Sequence, residues 1–311
     1  MGAMVKACSV QNVVKNTGKN CDKALQADAI IFACPPGFTF TATDLLDPLT
    51  WMKANIHAAW GSRVLPLFGY KAPIRTFEPK NENDIVVVLD DGSSHFLRYG
   101  FVNINYETTS GGLCYAEAMA ALNASGYNFL RMDKIGQMLV RDNGDGTYGP
   151  LITDFAYSPA PVQADLKSTP YKNKFMISYD PQDMIDNGVI LSGGKSLLTL
   201  MGLIDATPTL AAAATTTILK IGVKNSCTDQ DLVALLGAAL GTHVNNFSVY
   251  DKTAAVPIVP SGAAIVAGHI ELTGVYPTGH VITVTGGAPA DLLANLVSGY
   301  DISGVLEITI P

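Results

Sequence analysis

Five histidines, five cysteines and a few glycine-rich turns are the places in this 311-residue chain where chemistry could reside. The histidines stand at 57, 95, 243, 269 and 280, with no HExxH pair and no other metal-ligand spacing. Cys8, Cys21, Cys34, Cys114 and Cys227 are odd in number, and the first three have neither zinc spacing nor a nearby histidine. They read as buried free thiols of a chain folded in a reducing cytoplasm. Ser192-Gly193-Gly194-Lys195-Ser196 resembles the end of a phosphate loop. Gly188, however, stands one residue too far upstream for G-x-x-x-x-G-K-[ST], and a polar segment precedes it where a strand should run. Asp142-Asn143-Gly144-Asp145-Gly146 opens like a calcium loop, but glycine takes the third position and no bidentate acid follows at the right distance. It reads instead as a hairpin turn. Asp90-Asp91 likewise reads as a turn, and no G-x-S-x-G elbow is present. Asn123-Ala124-Ser125 and Asn246-Phe247-Ser248 match the glycosylation pattern, which has no meaning without an export signal. No catalytic, cofactor or metal site emerges, and a non-enzymatic protein is expected.

Composition points the same way. Charged residues make up 15% of the chain, where about 25% is usual. A monomer needs charge over most of its surface, so the shortfall implies surface that faces another subunit. The net charge is −7, and the basic residues are scattered. That disfavours sequence-specific nucleic-acid binding, which needs a stripe of Lys and Arg. No basic-then-apolar leader and no run of eighteen apolar residues is visible, so neither export nor membrane insertion is expected.

The elements that would position any site are organised around residues 84–125. Residues 85–89 form a continuous β-branched apolar run, expected to be a strand buried on both faces. Asp91-Gly92 follows at hairpin spacing. The return strand spans 94–106, and its apolar parity switches midway: Leu97, Tyr99 and Phe101 share one phase, Val102, Ile104 and Tyr106 the other. A bulge at Gly100-Phe101 would account for the switch. Upstream, Asp47-Pro48 opens a helix in which Leu49, Met52, Ile56 and Trp60 share a face, with Gly61 ending it. His57 lies off that stripe and reads as a surface or boundary residue. A second helix is expected over 113–124 with Tyr115, Met119 and Leu122 on one face. Strands are expected at 29–34, 64–68, 128–132 and 135–141 and through Phe175, Ile177 and Tyr179, with a long loop over 159–170.

The domain plan is an N-terminal arm at 1–28, a β-rich assembly domain at 29–205, a linker at 206–217 and a C-terminal α/β domain at 218–311. The linker assignment rests on the Ala/Thr-rich ATPTLAAAATTT. Beyond it, two strand–helix–strand units (218–223, 231–236, 247–250 and 280–285, 291–296, 305–310) imply a split βαβ arrangement, into which a further strand at 264–272 does not fit. The expected fold class is α+β, mainly β: a β-sandwich or half-barrel with flanking helices and a long hairpin, followed by a smaller split-βαβ domain.

WMKANIHAAWGSRVLPLFGYKAP, the long hairpin, GGLCYAEAMAALNASGYNFLRMD and RDNGDGTYGPLITDFAYSP together resemble structural, tail tube-like virion proteins of tailed bacteriophages that infect Bacteroidetes-type hosts. The resemblance spans residues 30–190 and is one of layout. It implies a sandwich or half-barrel whose hairpin joins neighbouring sheets into a ring or tube, with the C-terminal domain decorating the outside. Tube, head–tail adaptor and baseplate ring all stay open. The implied partners are further copies of the chain and other virion proteins, and the implied location is the virion. Ile85, Val87, Leu89, Phe96, Arg98, Val102 and Ile104 are the expected self-assembly residues. Two other classes compete: a carbohydrate-binding or adhesin-type module, which would share the low charge and tandem domains, and a hydrolase with a dispersed active site.

Overall fold

The protein's structure, a computed structural model, describes residues 5–9, 28–59, 61–67, 74–91, 93–108, 113–123, 125–133, 136–158, 173–192, 200, 202–297 and 299–311. At 5–9, 28–29, 74–81, 108, 113–115, 158, 173 and 192 it describes the backbone alone. The fold is mainly β with few helices. The chain divides into two compact units, Met1–Ile56 with Gly61–Met201 and His57–Trp60 with Gly202–Pro311.

The first unit runs β1 (Val5–Ser9), β2 (Asp28–Cys34), β3 (Phe40–Thr41), α1 (Pro48–Ile56), β4 (Leu65–Pro66), β5 (Ile74–Asn81), β6 (Ile85–Val88), β7 (Ser94–Arg98), β8 (Val102–Thr108), α2 (Leu113–Ala121), β9 (Asn128–Asp133), β10 (Gln137–Asp142), β11 (Thr147–Gly149), β12 (Thr153–Ser158), β13 (Asn173–Tyr179), α3 (Pro181–Asn187) and β14 (Gly188–Ser192). One sheet has the order β1-β14-β10-β9-β2-β4, with β11 on β10 and β3 on β11. A second has the order β12-β13-β8-β5, and among the described residues β6 and β7 pair only with each other. Ile31 and Ala33 of the first sheet share a core with Ile104, Tyr106, Phe175, Ile177 and Tyr179 of the second, joined by Met119 and Leu122 at the end of α2. A stacked ring pair ties the layers together, Phe129 of β9 lying 4.9 Å from Phe155 of β12, and within the second sheet Tyr106 of β8 stacks on its cross-strand neighbour Phe175 of β13 at 5.0 Å. The expected sandwich is therefore present. Ile30, Phe32, Leu130 and Met132, of the opposite parity, are buried as well.

Three expectations for residues 1–61 need correction. Residues 5–9 are not an arm, because β1 pairs antiparallel with β14 as an edge strand. The ladder is made by backbone groups, so the polar character of the segment as a whole does not prevent it; residues 10–27 lie outside the described residues. α1 begins at Pro48 and buries Met52 and Ile56, but Leu49 is exposed. His57 is buried rather than superficial. The helix stops at Ile56, so helical spacing no longer decides where the next side chain points. Trp60, the 159–170 loop and residues 193–196 of the phosphate-loop fragment also lie outside the described residues.

The second unit runs β15 (Ile204–Ala212), β16 (Ile218–Asn225), α4 (Leu232–Leu236), α5 (Ala238–Gly241), β17 (Phe247–Asp251), β18 (Val256–Ile258), β19 (Gly262–Val266), β20 (His269–Thr273), β21 (Val281–Gly286), α6 (Pro289–Ala294), β22 (Tyr300–Asp301) and β23 (Leu306–Thr309). The strands and helices expected from the two repeats are present, but not on one sheet. β19-β20-β16-β15-β22 form one sheet and β18-β17-β21-β23 another, enclosing Leu219, Ile221, Val223, Val249, Ile270, Leu272, Ile282 and Val284. The split-βαβ topology is therefore replaced by two sheets around a common core. The β19–β20 hairpin is the reason: β20 and β15 fill both edges of β16, so β17 cannot join it.

The expected 206–217 linker is corrected too, because most of it is β15, with Ala206 and Pro208 buried and Thr207 and Thr209 half-buried. Threonine suits a strand as well as a loop. Pro208 is tolerated because β22 pairs with β15 only at Ile204 and Asp205, which leaves an open edge where no N–H is needed.

Candidate functional site

The feature that stands out is a bare apolar arm. Four consecutive β-branched residues, Ile85-Val86-Val87-Val88, make β6, and β7 returns beside it. The turn is closed by Leu89 N–H donating to Ser93 O at 2.8 Å. The Asp91 carboxylate accepts from the Ser93 hydroxyl at 2.6 Å and the Ser93 N–H at 2.8 Å, which holds the Asp91 carboxyl below its ordinary range. Gly92 lies outside the described residues.

Val86 faces Phe96, Val87 faces His95 and Val88 faces Ser94, with a register shift between Ile85 and Val86. Residues paired across an antiparallel ribbon share a face, and successive residues alternate. Val86, Val88 and Phe96 therefore lie on one face, Val87 on the other. Both faces carry apolar groups. Ile85, Val86, Val87, Val88, Leu89, Phe96, Leu97 and Tyr99 are all exposed, from 38% at Tyr99 to 70% at Val88. The Phe96 and Tyr99 rings meet at 4.5 Å. Among the described residues no further strand pairs with β6 or β7, so both ribbon edges are open.

The expectation that 85–89 is buried on both faces is thus corrected: each of its residues is exposed. An apolar run reads alike whether a second layer covers it or not, and among the described residues β6 has only β7 beside it. Of the expected assembly residues, Ile85, Val87, Leu89, Phe96 and Arg98 lie together on this ribbon and are exposed. Val102 and Ile104 do not. They belong to β8, which has β13 on one side and β5 on the other, and Ile104 is 2% exposed. A strand with both edges occupied cannot pair with a neighbour. The exposed Val86, Val88, Leu97 and Tyr99 were missed because alternation favours every second residue, and only a ribbon bare on both faces exposes consecutive ones.

The parity switch did mark a real break. The return strand is interrupted between Arg98 and Val102, where Gly100 is buried.

The other motifs resolve into structure. Residues 142–146 turn β10 into β11: Asn143 N–H donates to Thr147 O, Gly144 N–H to the Asp142 carboxylate and Thr147 N–H to that of Asp145. Gly144 and Gly146 have φ of 80° and 90°, as a tight turn requires. Asn246 is fully buried; its side-chain amide donates to Ala239 O and Leu240 O at 2.9 Å each, so it braces α5 rather than carrying a glycan. His280 Nδ1 lies 2.7 Å from the buried Asp251 carboxylate, which also accepts from Thr253 and Ala254 N–H. His269 lies 3.4 Å from Glu271, while His95 and His243 are exposed. Among the described residues no three His, Cys, Asp or Glu side chains group closely enough to hold a metal.

Cys34 is a buried free thiol whose burial pushes its pKa up. Cys227 departs from the free-thiol expectation, being disulfide-bonded. Asp183 was overlooked in the polar 180–187 segment, where its carboxylate accepts from Ile152 N–H at 2.9 Å and forms an ion pair with Arg141, Nε lying 3.3 Å away. Asp180-Pro181 was the available signal, an N-cap and first-turn proline like Asp47-Pro48.

Neither a protein-family model nor a curated protein sequence matches the chain. No helix among the described residues is long and apolar enough to cross a membrane.

Proposed function

We propose that this chain is a non-enzymatic structural subunit that self-assembles into rings or a tube through the arm of residues 85–99. The observation that carries the reading is the arm itself: eight large apolar side chains exposed on one ribbon whose two edges no other described strand covers. Scattered exposed apolar residues are ordinary on a monomer, but a contiguous set this size marks an interaction surface. Open β edges are a liability in a free protein and a joint in an assembly. The tip is acidic, with Asp90 and Asp91 exposed, so an approach to lipid tip-first is disfavoured and lateral contact with protein is favoured. The charge-poor composition supplies further surface for a second copy to meet.

The resemblance over residues 30–190 gives this subunit its setting, a tail tube-like virion protein of a tailed bacteriophage with other virion proteins as neighbours. Electron microscopy of the purified chain across a concentration series tests the reading. Rings or tubes are the expected result, and monodisperse single subunits at every concentration contradict it.

A further inference from the structure

A joint built on an arm works only when the arm points the same way in every subunit, because an arm that wanders loses the ordering entropy at each contact. A lone two-stranded ribbon is marginal by itself, so its direction must come from its root. The root is built for this. Glu82 N–H donates to Phe101 O at 2.9 Å. Sixteen residues along the chain from Asp84, Gly100 N–H donates to the Asp84 carboxylate at 3.0 Å. The Asn103 side-chain amide donates to Glu82 at 3.2 Å. Arg98, on the arm, sets its guanidinium 5.2 Å from the centroid of the Phe101 ring at the root. Gly100 is the one buried residue among the described positions from 82 to 100, and a Cβ there would collide with the Glu82 carbonyl. Only glycine lets the two backbones close this far.

Resting on the reading of the arm as the joint, we propose that Asp84 and Gly100 form a fixed elbow that aims the arm. Asp84 is then a positioning residue: its carboxylate makes a charge-assisted bond to the backbone of the opposite strand and need not touch the neighbouring subunit.

The test combines two readouts on the full chain, assembly by sedimentation velocity and hydrogen exchange at the Gly100 amide. Exchange is measured in a Val87→Asp background, which is expected to stay monomeric. There the Gly100 amide is protected, and adding Asp84→Ala speeds its exchange by about tenfold. Asp84→Ala alone abolishes assembly, while Asp84→Asn, which keeps an acceptor oxygen, retains both protection and assembly. Unchanged exchange in Asp84→Ala overturns the elbow, as does normal assembly of that variant. Loss of assembly in Asp84→Asn also overturns it, since the charge rather than the elbow bond would then matter. Each of these results leaves the arm as the joint. Assembly of Val87→Asp at the wild-type level overturns the joint itself, and the elbow with it.

Discussion

Val86 and Phe96 face each other across β6 and β7, yet they are 47% and 50% exposed. A cross-strand apolar pair of this kind stabilises a sheet by burying its contact. Here half of each side chain remains in water, which makes the pair a surface held ready for a partner. Replacing both with serine is therefore expected to weaken assembly by at least about tenfold without lowering the melting temperature of the monomer. Sedimentation and thermal denaturation of the double variant check this together.

The division between arm and core predicts opposite outcomes for two isoleucines. Ile104, 2% exposed in the core, should cost about 2–5 kcal/mol when cut to alanine. Ile85, 39% exposed on the arm, should cost no more than about 0.5 kcal/mol on the same change. Urea denaturation of Ile104→Ala and Ile85→Ala measures both.

Asn246 supplies the half-buried Ala239 and the buried Leu240 carbonyls with donors and receives the Asn295 side-chain amide at 2.8 Å. Asn246→Ala leaves those groups without that partner and should destabilise the second unit by about 1–3 kcal/mol. Loss of near-ultraviolet dichroism on heating reports it.

Asp251 gives a pH signature. Its carboxyl is held below the ordinary value chiefly by the Ala254 N–H, with His280 beside it adding to the effect. A carboxylate lowered on folding stabilises the native state above its unfolded value of about 4, and that contribution is lost as pH falls through the lower folded value. The stability gap between wild type and Asp251→Asn should therefore be full near neutrality and close in acid below about pH 4. Denaturation midpoints of the two proteins across that range test the sign.

Local chemistry was legible in the sequence, and pairing was not. Asp47-Pro48 announced α1 because a cap and a first-turn proline act within one turn of helix. The parity switch at Gly100 announced the break between β7 and β8 because side-chain alternation is a property of a single strand. The 142–146 turn was legible for the same reason. The sheet that β16 joins was decided by β20, some fifty residues away along the chain, and no local pattern encodes that choice. Residues 85–89 show the limit most clearly: Ile85-Val86-Val87-Val88-Leu89 suits a buried strand and a bare arm equally, and only the absence of a covering strand among the described residues separates them. Ala206 to Ala212 was misread because alanine and threonine are at home in both linkers and strands.

The most direct test of the arm as the joint is sedimentation velocity of wild type and Val87→Asp over the same concentration series. The wild type should shift to larger species as concentration rises, while Val87→Asp, with a charge set into one apolar face of the arm, stays at the monomer's coefficient. Superimposable profiles for the two proteins would contradict the account.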